Sequence, residues 1–396
     1  MLTREENELL QSIDEAELIG FLQALVRTNS ENPPGREMAV ANLIAHTLQS
    51  FGCQVEIQPV DGDRFNVIVI LEGEQSEKIL FNGHTDTVPV GNLKLWSSDP
   101  WAAEIRDGRL YGLGSCDMKA GLAAMIYAIK ALVESKTKFI RGLIFTAVID
   151  EEVNFLGTTA LLSDNKLADC VMAYVSEPTS LRIGNRLKGA IEFSARTYGK
   201  SAHTGVAFNG ENAIYKMSRY IEALRSYNDS LAKDYSDPDL RYPTVNVGKI
   251  QGGVGVTLVP DYCELEFDRQ VLPSESMDEA EIEIRKLTAS INESEQIGVE
   301  LVVRQSFSTW TIPEEEEVVR RLSSSIQDAT SQKPELMGFN GYAEVELLSA
   351  AGIPSVLYGP GSINVAHAPD EFVPMDEVIQ AARVYALMAY RFVTQS

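Results

Sequence analysis

The chain has 396 residues, with 34 Lys and Arg against 57 Asp and Glu, a formal charge of −23. That balance repels a phosphate backbone and no Lys/Arg-rich run offsets it, which excludes nucleic acid as an expected partner. With 44% hydrophobic and 23% charged residues, the composition is that of a globular protein long enough for two domains.

The N-terminal MLTREENELLQSIDEAELIG carries acids where a signal peptide needs a basic and then an apolar stretch, and runs such as 143–149 fall far short of the roughly 20 residues that span a membrane. A soluble, cytoplasmic protein is expected, with no membrane partner. Its scattered Cys53, Cys116, Cys170 and Cys263 form neither a disulfide framework nor a thiolate metal site.

An acidic amphipathic helix is expected over 3–26, ended by Asn32-Pro33-Pro34, with a second helix beyond. Short runs rich in Val, Ile and Phe at 65–71, 78–81, 143–149 and 171–175 then alternate with helical stretches such as 118–132. This is the rhythm of a layered α/β domain with a central sheet flanked by helices. Near residue 187 the texture changes to a strand (190–198), a helix (212–225), two strands (244–250 and 262–271), a helix (277–291) and a strand (299–304), with a polar loop at 229–243. That order is a split βαβ, ferredoxin-like α+β unit. It predicts an inserted domain at 187–304 within an outer domain formed by 1–186 and 305–396. The chain resumes with a helix from Pro313, whose first turn takes the acids 314–317, an apolar segment at 353–358 and a final helix from Met375.

Nucleotide signatures fail on inspection: Ser194 replaces the first glycine of a phosphate loop ending in Gly199-Lys200-Ser201, and Asp117 replaces the third glycine after Gly112-Leu113-Gly114. What remains is a set of acids and histidines at the expected carboxyl ends of strands, where open α/β sheets collect ligands. They are His84 and Asp86 in NGHTD, Asp117 in GLGSCDMKAG, the Asp150-Glu151-Glu152 triplet, Glu177 in SEPT and His367 in NVAHAPDEF. Converging carboxylates are costly to bury unless cations compensate them. Two imidazoles and three carboxylates suit two divalent ions, zinc first, with cobalt or manganese also acceptable. If Asp117 bridges, His84, Asp117 and Glu177 hold one ion and Asp117, Glu152 and His367 the other. Adjacent extended residues point apart, so Glu152 is assigned to metal and Glu151 to proton transfer, with Asp86 fixing the His84 tautomer.

The runs GHTDTVPV, GLGSCDMKAG, DEE, SEPT, GKSAH and GPGSINVAHAPDEF resemble, in order and over nearly the whole chain, those of the two-zinc amidohydrolase and peptidase family that contains acetylornithine deacetylase, succinyl-diaminopimelate desuccinylase, aminoacylase-1 and zinc carboxypeptidases. The resemblance implies the same five ligands, with Glu151 and Asp86 catalytic. It implies hydrolysis of the amide of an N-acyl-L-amino acid, with short-peptide hydrolysis as the rival. It also implies that the inserted domain is a lid and dimerisation domain of a homodimer, with His203 of GKSAH polarising the scissile carbonyl, often across the dimer. Asn246, Arg269 and Gly361 resemble positions facing substrate, Arg269 as a fork for a carboxylate. One departure is Gly341-Tyr342-Ala343-Glu344, where relatives read Gly-Thr-Asp or Gly-Thr-Ser-Asp; it bears on substrate shape and touches no metal ligand.

Blander readings stand beside these. Asp117 can cap the helix ahead of Met118, Glu151 and Glu152 can form a solvated loop, and Glu177 can be a turn residue. Cys116 reads as a small packed residue or, in a cysteine amidase, as a nucleophile. A non-catalytic metal- or ligand-binding relative would have no need for Glu151.

Overall fold

The structure, a computed structural model, describes residues 2–395. The helix expected over 3–26 is two. Thr3 and Glu6 form a reciprocal cap on α1 (Arg4–Gln11), and Asp14 accepts the N–H groups of Ala16 and Glu17 to start α2 (Glu15–Arg27). A capping acid inside an amphipathic pattern divides it without changing its period.

After α3 (Met38–Ser50) come the antiparallel strands β1 (Val55–Asp61) and β2 (Arg64–Leu71), then β3 (Lys78–His84), α4 (Ala120–Glu134), β4 (Gly142–Val148), α5 (Leu156–Ser163), β5 (Cys170–Val175) and β6 (Ile183–Leu187). Strand β3 is buried at all seven residues because it pairs in parallel with β4 on one side and β5 on the other. Helix α4 is apolar on nearly every side and accordingly buried.

Compact packing divides the chain into two units. The first runs to Asn185 and resumes over Ile312–Met337 and from Ala343; the second is Arg186–Thr311 with Gly338–Tyr342. The second unit contains β7 (Gly189–Tyr198), α6 (Ala213–Asp234), β8 (Thr244–Gly252), β9 (Tyr262–Val271), α7 (Met277–Glu295) and β10 (Glu300–Phe307), with an antiparallel sheet in the order β8-β9-β7-β10. Strand β9 alternates strictly, and Phe193, Leu265, Phe267, Tyr220 and Ile284 form the core between one sheet face and the helices. Helix α6 continues well into the segment expected as a polar loop. The excursion at 338–342 is fixed inside this unit by the Gly338 N–H on Asp239 (2.9 Å) and by Phe307 against Tyr342 (ring centroids 4.5 Å apart).

The first unit resumes with α8 (Glu317–Thr330), α9 (Val345–Ala350), β11 (Ser355–Leu357) and α10 (Met375–Thr394). Glu316 is the residue before α8, so only Glu317 of the acid run lies in its first turn. Strand β11 pairs in parallel with β5, so that the nine-stranded sheet contains the order β1-β2-β4-β3-β5-β11-β6. This is the mixed sheet flanked by helices that the sequence implies. Among the described residues no helix is long and apolar enough to cross a membrane.

Candidate metal centre

Strands β3, β4, β5 and β11 run the same way, so their carboxyl ends share one edge, and the antiparallel β2 begins at that edge. His84 is the last residue of β3 and is 1% exposed. Its Nε2 lies 3.1 Å from Asp117 Oδ1. Its Nδ1 lies 3.0 Å from the backbone oxygen of Asp86 and 3.6 Å from that residue's carboxylate. The backbone carbonyl is the nearer partner of Nδ1 with the carboxylate just beyond it, an arrangement that leaves Nε2 facing Asp117. The Asp86 carboxylate also accepts the N–H groups of Glu151 (3.2 Å) and Glu152 (3.1 Å) and the Asn32 side chain (3.0 Å).

Asp117 sits in the turn Ser115–Lys119 with extended backbone, and the residue preceding α4 is Lys119, so the helix-cap reading of Asp117 is wrong. Glu371 holds this turn: Oε1 accepts the N–H groups of Cys116 (2.8 Å) and Asp117 (3.1 Å), and Oε2 accepts that of Gly114 (3.0 Å). Asp117 Oδ2 lies 3.4 Å from His367 Nε2, which lies 3.0 Å from Glu152 Oε1. One ligand atom each from His84, Asp117 and Glu152 fall within 4.8 Å of one another. Glu151 and Glu177 each bring an oxygen to 3.9 Å from His84 Nε2, and Glu177 Oε1 is buried without a hydrogen-bond partner.

The electrostatics are those of a cluster short of positive charge. Burial lifts the Glu151 carboxyl well above its usual range, and the charges of Glu177 and Glu152 add to this against the pull of His84. Burial lifts Glu177 as well, helped by Asp117. Burial alone would lower the His84 imidazole, but Glu151, Asp117 and Asp86 raise it well above its ordinary value. Hydrogen bonds to Asp117 and Glu152 push His367 up to about 10. Asp117 stays below the carboxylate range because its two imidazole bonds outweigh its burial. Imidazoles held above their ordinary range by surrounding carboxylates thus stand where cations fit. Imidazole and carboxylate donors without cysteine suit zinc, cobalt or manganese. Donor separations of 3.0 to 3.4 Å match the roughly 3.3 Å between neighbouring ligands of a tetrahedral ion with bonds of about 2.0 Å. The orphaned Glu177 oxygen completes the fit.

Cys116 is fully buried, and burial beside Glu371 and Asp117 raises its thiol well above the normal value, which removes it as a nucleophile. Gly361 also departs from expectation. Its N–H donates to Glu377 (2.7 Å) and its carbonyl accepts the Ser180 N–H (2.6 Å), so neither is open to substrate. Glycine is required there because φ is +85° and a Cβ would meet Cys116 Sγ at 2.6 Å.

His203, Asn246 and Arg269 belong to the second unit. His203 is exposed, and its Nδ1 accepts the Gly205 N–H at 3.0 Å, which puts the proton of a neutral ring on Nε2. Asn246 is exposed on β8 beside Glu192, Lys249 and Arg304. Arg269 is a correction: its alternation on β9 turns it into the helix-covered core, where it is fully buried and bound by Glu275, Tyr227 and the Gln270 carbonyl. Those partners use the fork that a substrate carboxylate would need. In the departure segment, Glu344 is fully buried in the first unit, accepting from Asn82 (2.7 Å) and Thr158 (2.8 Å), and burial pushes it up to about 7.

Sequence reasoning passed over Glu371, although it lies in the quoted NVAHAPDEF run, and over Arg64, and it gave no role of their own to the buried Asn32 and Asp150. Nothing local marks these residues; only sheet pairing brings Arg64 to Asp150.

The family model for peptidase family M20/M25/M40 matches residues 80–391. The chain is 31% identical over 343 residues to an acetylornithine deacetylase of Proteus mirabilis, covering 85% of each protein. It is 27% identical over 417 residues to an N-formyl-4-amino-5-aminomethyl-2-methylpyrimidine deformylase of Halalkalibacterium halodurans, covering 97% of each. Its fold is similar to that of the aminopeptidase PepT of Bacillus cereus, with a TM-score of 0.77 at 22% identity over 96% of this chain and 99% of that one.

Proposed function

Because the chain belongs to peptidase family M20/M25/M40 and is a metal-dependent amide hydrolase, we propose that it removes the acyl group from an N-acyl-L-amino acid of the N-acetylornithine type. The observation that carries this reading is one carboxylate, Asp117, set between the Nε2 atoms of His84 and His367, with Glu151 beside them. His84, Asp117 and Glu177 would hold one divalent ion and Asp117, Glu152 and His367 a second, zinc fitting best. Bound there, such ions supply polarisation of the scissile carbonyl and a lowered pKa for the attacking water.

The protein's own groups handle the protons. Glu151 takes a proton from the attacking water and returns it to the leaving nitrogen as the C–N bond breaks, so the water oxygen ends in the released carboxylate. His203, with its proton on Nε2, is a donor suited to the developing oxyanion, and Asn246 is an open polar group for substrate. The second unit serves as the lid and as the contact of a homodimer. Its sheet ends in the edge strand β8, and it exposes Phe208, Val254 and Val256 at 84%, 92% and 95%. Four buried free thiols favour a reducing cytoplasm.

A panel of N-acetyl, N-formyl and N-succinyl amino acids and dipeptides tests the substrate class. Hydrolysis confined to dipeptides would replace the deacylase reading with a peptidase one, which the fold of the B. cereus aminopeptidase favours.

A further inference from the structure

Glu151 and Glu152 lie on the turn that leaves β4, and they follow an aspartate that makes no direct contribution to the metal centre. Asp150 is 1% exposed and adopts a left-handed conformation, with φ of 65°. Two side chains hold its Oδ1: Arg64 through a terminal nitrogen at 2.8 Å and Asn32 through its amide nitrogen at 2.8 Å. The same Asn32 nitrogen reaches Asp86 Oδ2 at 3.0 Å, and Asp86 in turn caps the N–H groups of both glutamates. A continuous set of hydrogen bonds therefore runs from Arg64 to the backbone of Glu151 and Glu152.

Sheet register explains how Arg64 gets there. Val67 faces Ala147 in the antiparallel pair of β2 and β4, so continuing three residues places Arg64 opposite Asp150. Its guanidinium has a side chain only 11% exposed and also grips the fully buried Glu37, so one cation joins two buried carboxylates. The backbone closes on it from the other side: a Cβ at Gly35 would stand 2.9 Å from Arg64 Nε.

We propose that Arg64, outside the metal centre, is a positioning residue for Glu151 and Glu152, acting through Asp150, Asn32 and Asp86. The inference rests on the reading of Glu151 as the proton-transfer group and of Glu152 as a ligand. A planar fork is needed, because Arg64 must meet Glu37 with two nitrogens while presenting one to Asp150, which the point charge of lysine cannot do. The lost tethers loosen the turn rather than remove a catalytic atom, so the effect falls on turnover and metal binding more than on substrate binding.

The test compares purified wild type, R64K and E151Q by circular dichroism, Co2+ titration and the kinetics of N-acetyl-L-ornithine hydrolysis, or of the best substrate of the panel. R64K is expected to fold and bind two Co2+, with kcat lowered about 10- to 100-fold, KM nearly unchanged, and at least one Co2+ held about 10-fold more weakly. Wild-type kcat, a loss confined to KM, or wild-type Co2+ affinities in R64K would overturn the proposal. If R64K does not fold, D150A and D150N decide: Asn retains an oxygen for Arg64 and Asn32, so D150A should fall at least about 10-fold below D150N, and parity between them would overturn the proposal. Wild-type turnover by E151Q would instead sink the underlying assignment, which keeps the two failures apart.

Discussion

Glu371 binds the backbone N–H of Asp117 at 3.1 Å, so a carboxylate four residues beyond one histidine fixes the carboxylate that lies between both. The same side chain satisfies Gly114 and Cys116, and burial, with Asp117 nearby, pushes it up to about 8. Removing it in E371A leaves three buried donors unpaired, each costing about 1–3 kcal/mol. Metal affinity measured by chelator competition should fall at least about 10-fold, and thermal stability should fall with it. E371A with unaltered metal binding would show that the Asp117 turn holds its shape without this acid.

The charge state of His367 makes the metal-free protein pH-dependent. Its folded pKa, about 10, lies above the roughly 6.5 of an unfolded imidazole, so its stabilising contribution is complete below about 6.5 and is lost as pH rises toward 10. Bound metal needs the imidazole neutral, so metal-loaded protein should lack this dependence, and metal affinity should rise with pH. Melting curves with and without chelator across pH 6 to 10 check both statements. A metal-free protein that gains stability over that range would contradict the first.

Arg269 is a stability residue rather than a substrate clamp. Replacing it in R269A strands Glu275, whose side chain is 4% exposed, and breaking a buried pair from one side costs about 3–5 kcal/mol. Denaturant unfolding should register that loss, while KM of the folded fraction stays near wild type. A large rise in KM with little change in stability would restore the clamp.

At Gly361, alanine must adopt a left-handed backbone and press its methyl on Cys116. G361A should lose about 1–3 kcal/mol, and C116A should recover only the part due to contact. Full recovery in the double variant would mean that backbone conformation is not the main cost.

The fold was readable wherever one physical signal dominated. Alternating β9 and the long apolar α4 announce themselves by period, and Met375 opens α10 where a helix is expected. The early helix broke because Asp14 caps within an unbroken hydrophobic pattern, and α6 ran on because its polar turns pack on one side only. In the site, His84, Asp117, Glu152 and His367 converge as their positions after strands and turns suggested. Arg269 differs because residue type and motif indicate what a side chain can bind, whereas its surroundings in the fold decide what it does bind. Its partners are Glu275 and Tyr227, and Asp86 likewise gains the Glu151 and Glu152 amides beside His84.

The most direct test of the account pairs metal content with amine release from N-acetyl-L-ornithine and related N-acyl amino acids, before and after chelation, in wild type and E151Q. The account predicts two bound metal equivalents, turnover abolished by chelation and restored by Zn2+ or Co2+, and an E151Q variant that keeps its metal but loses turnover. Chelator-resistant hydrolysis, or undiminished turnover in metal-loaded E151Q, would contradict it.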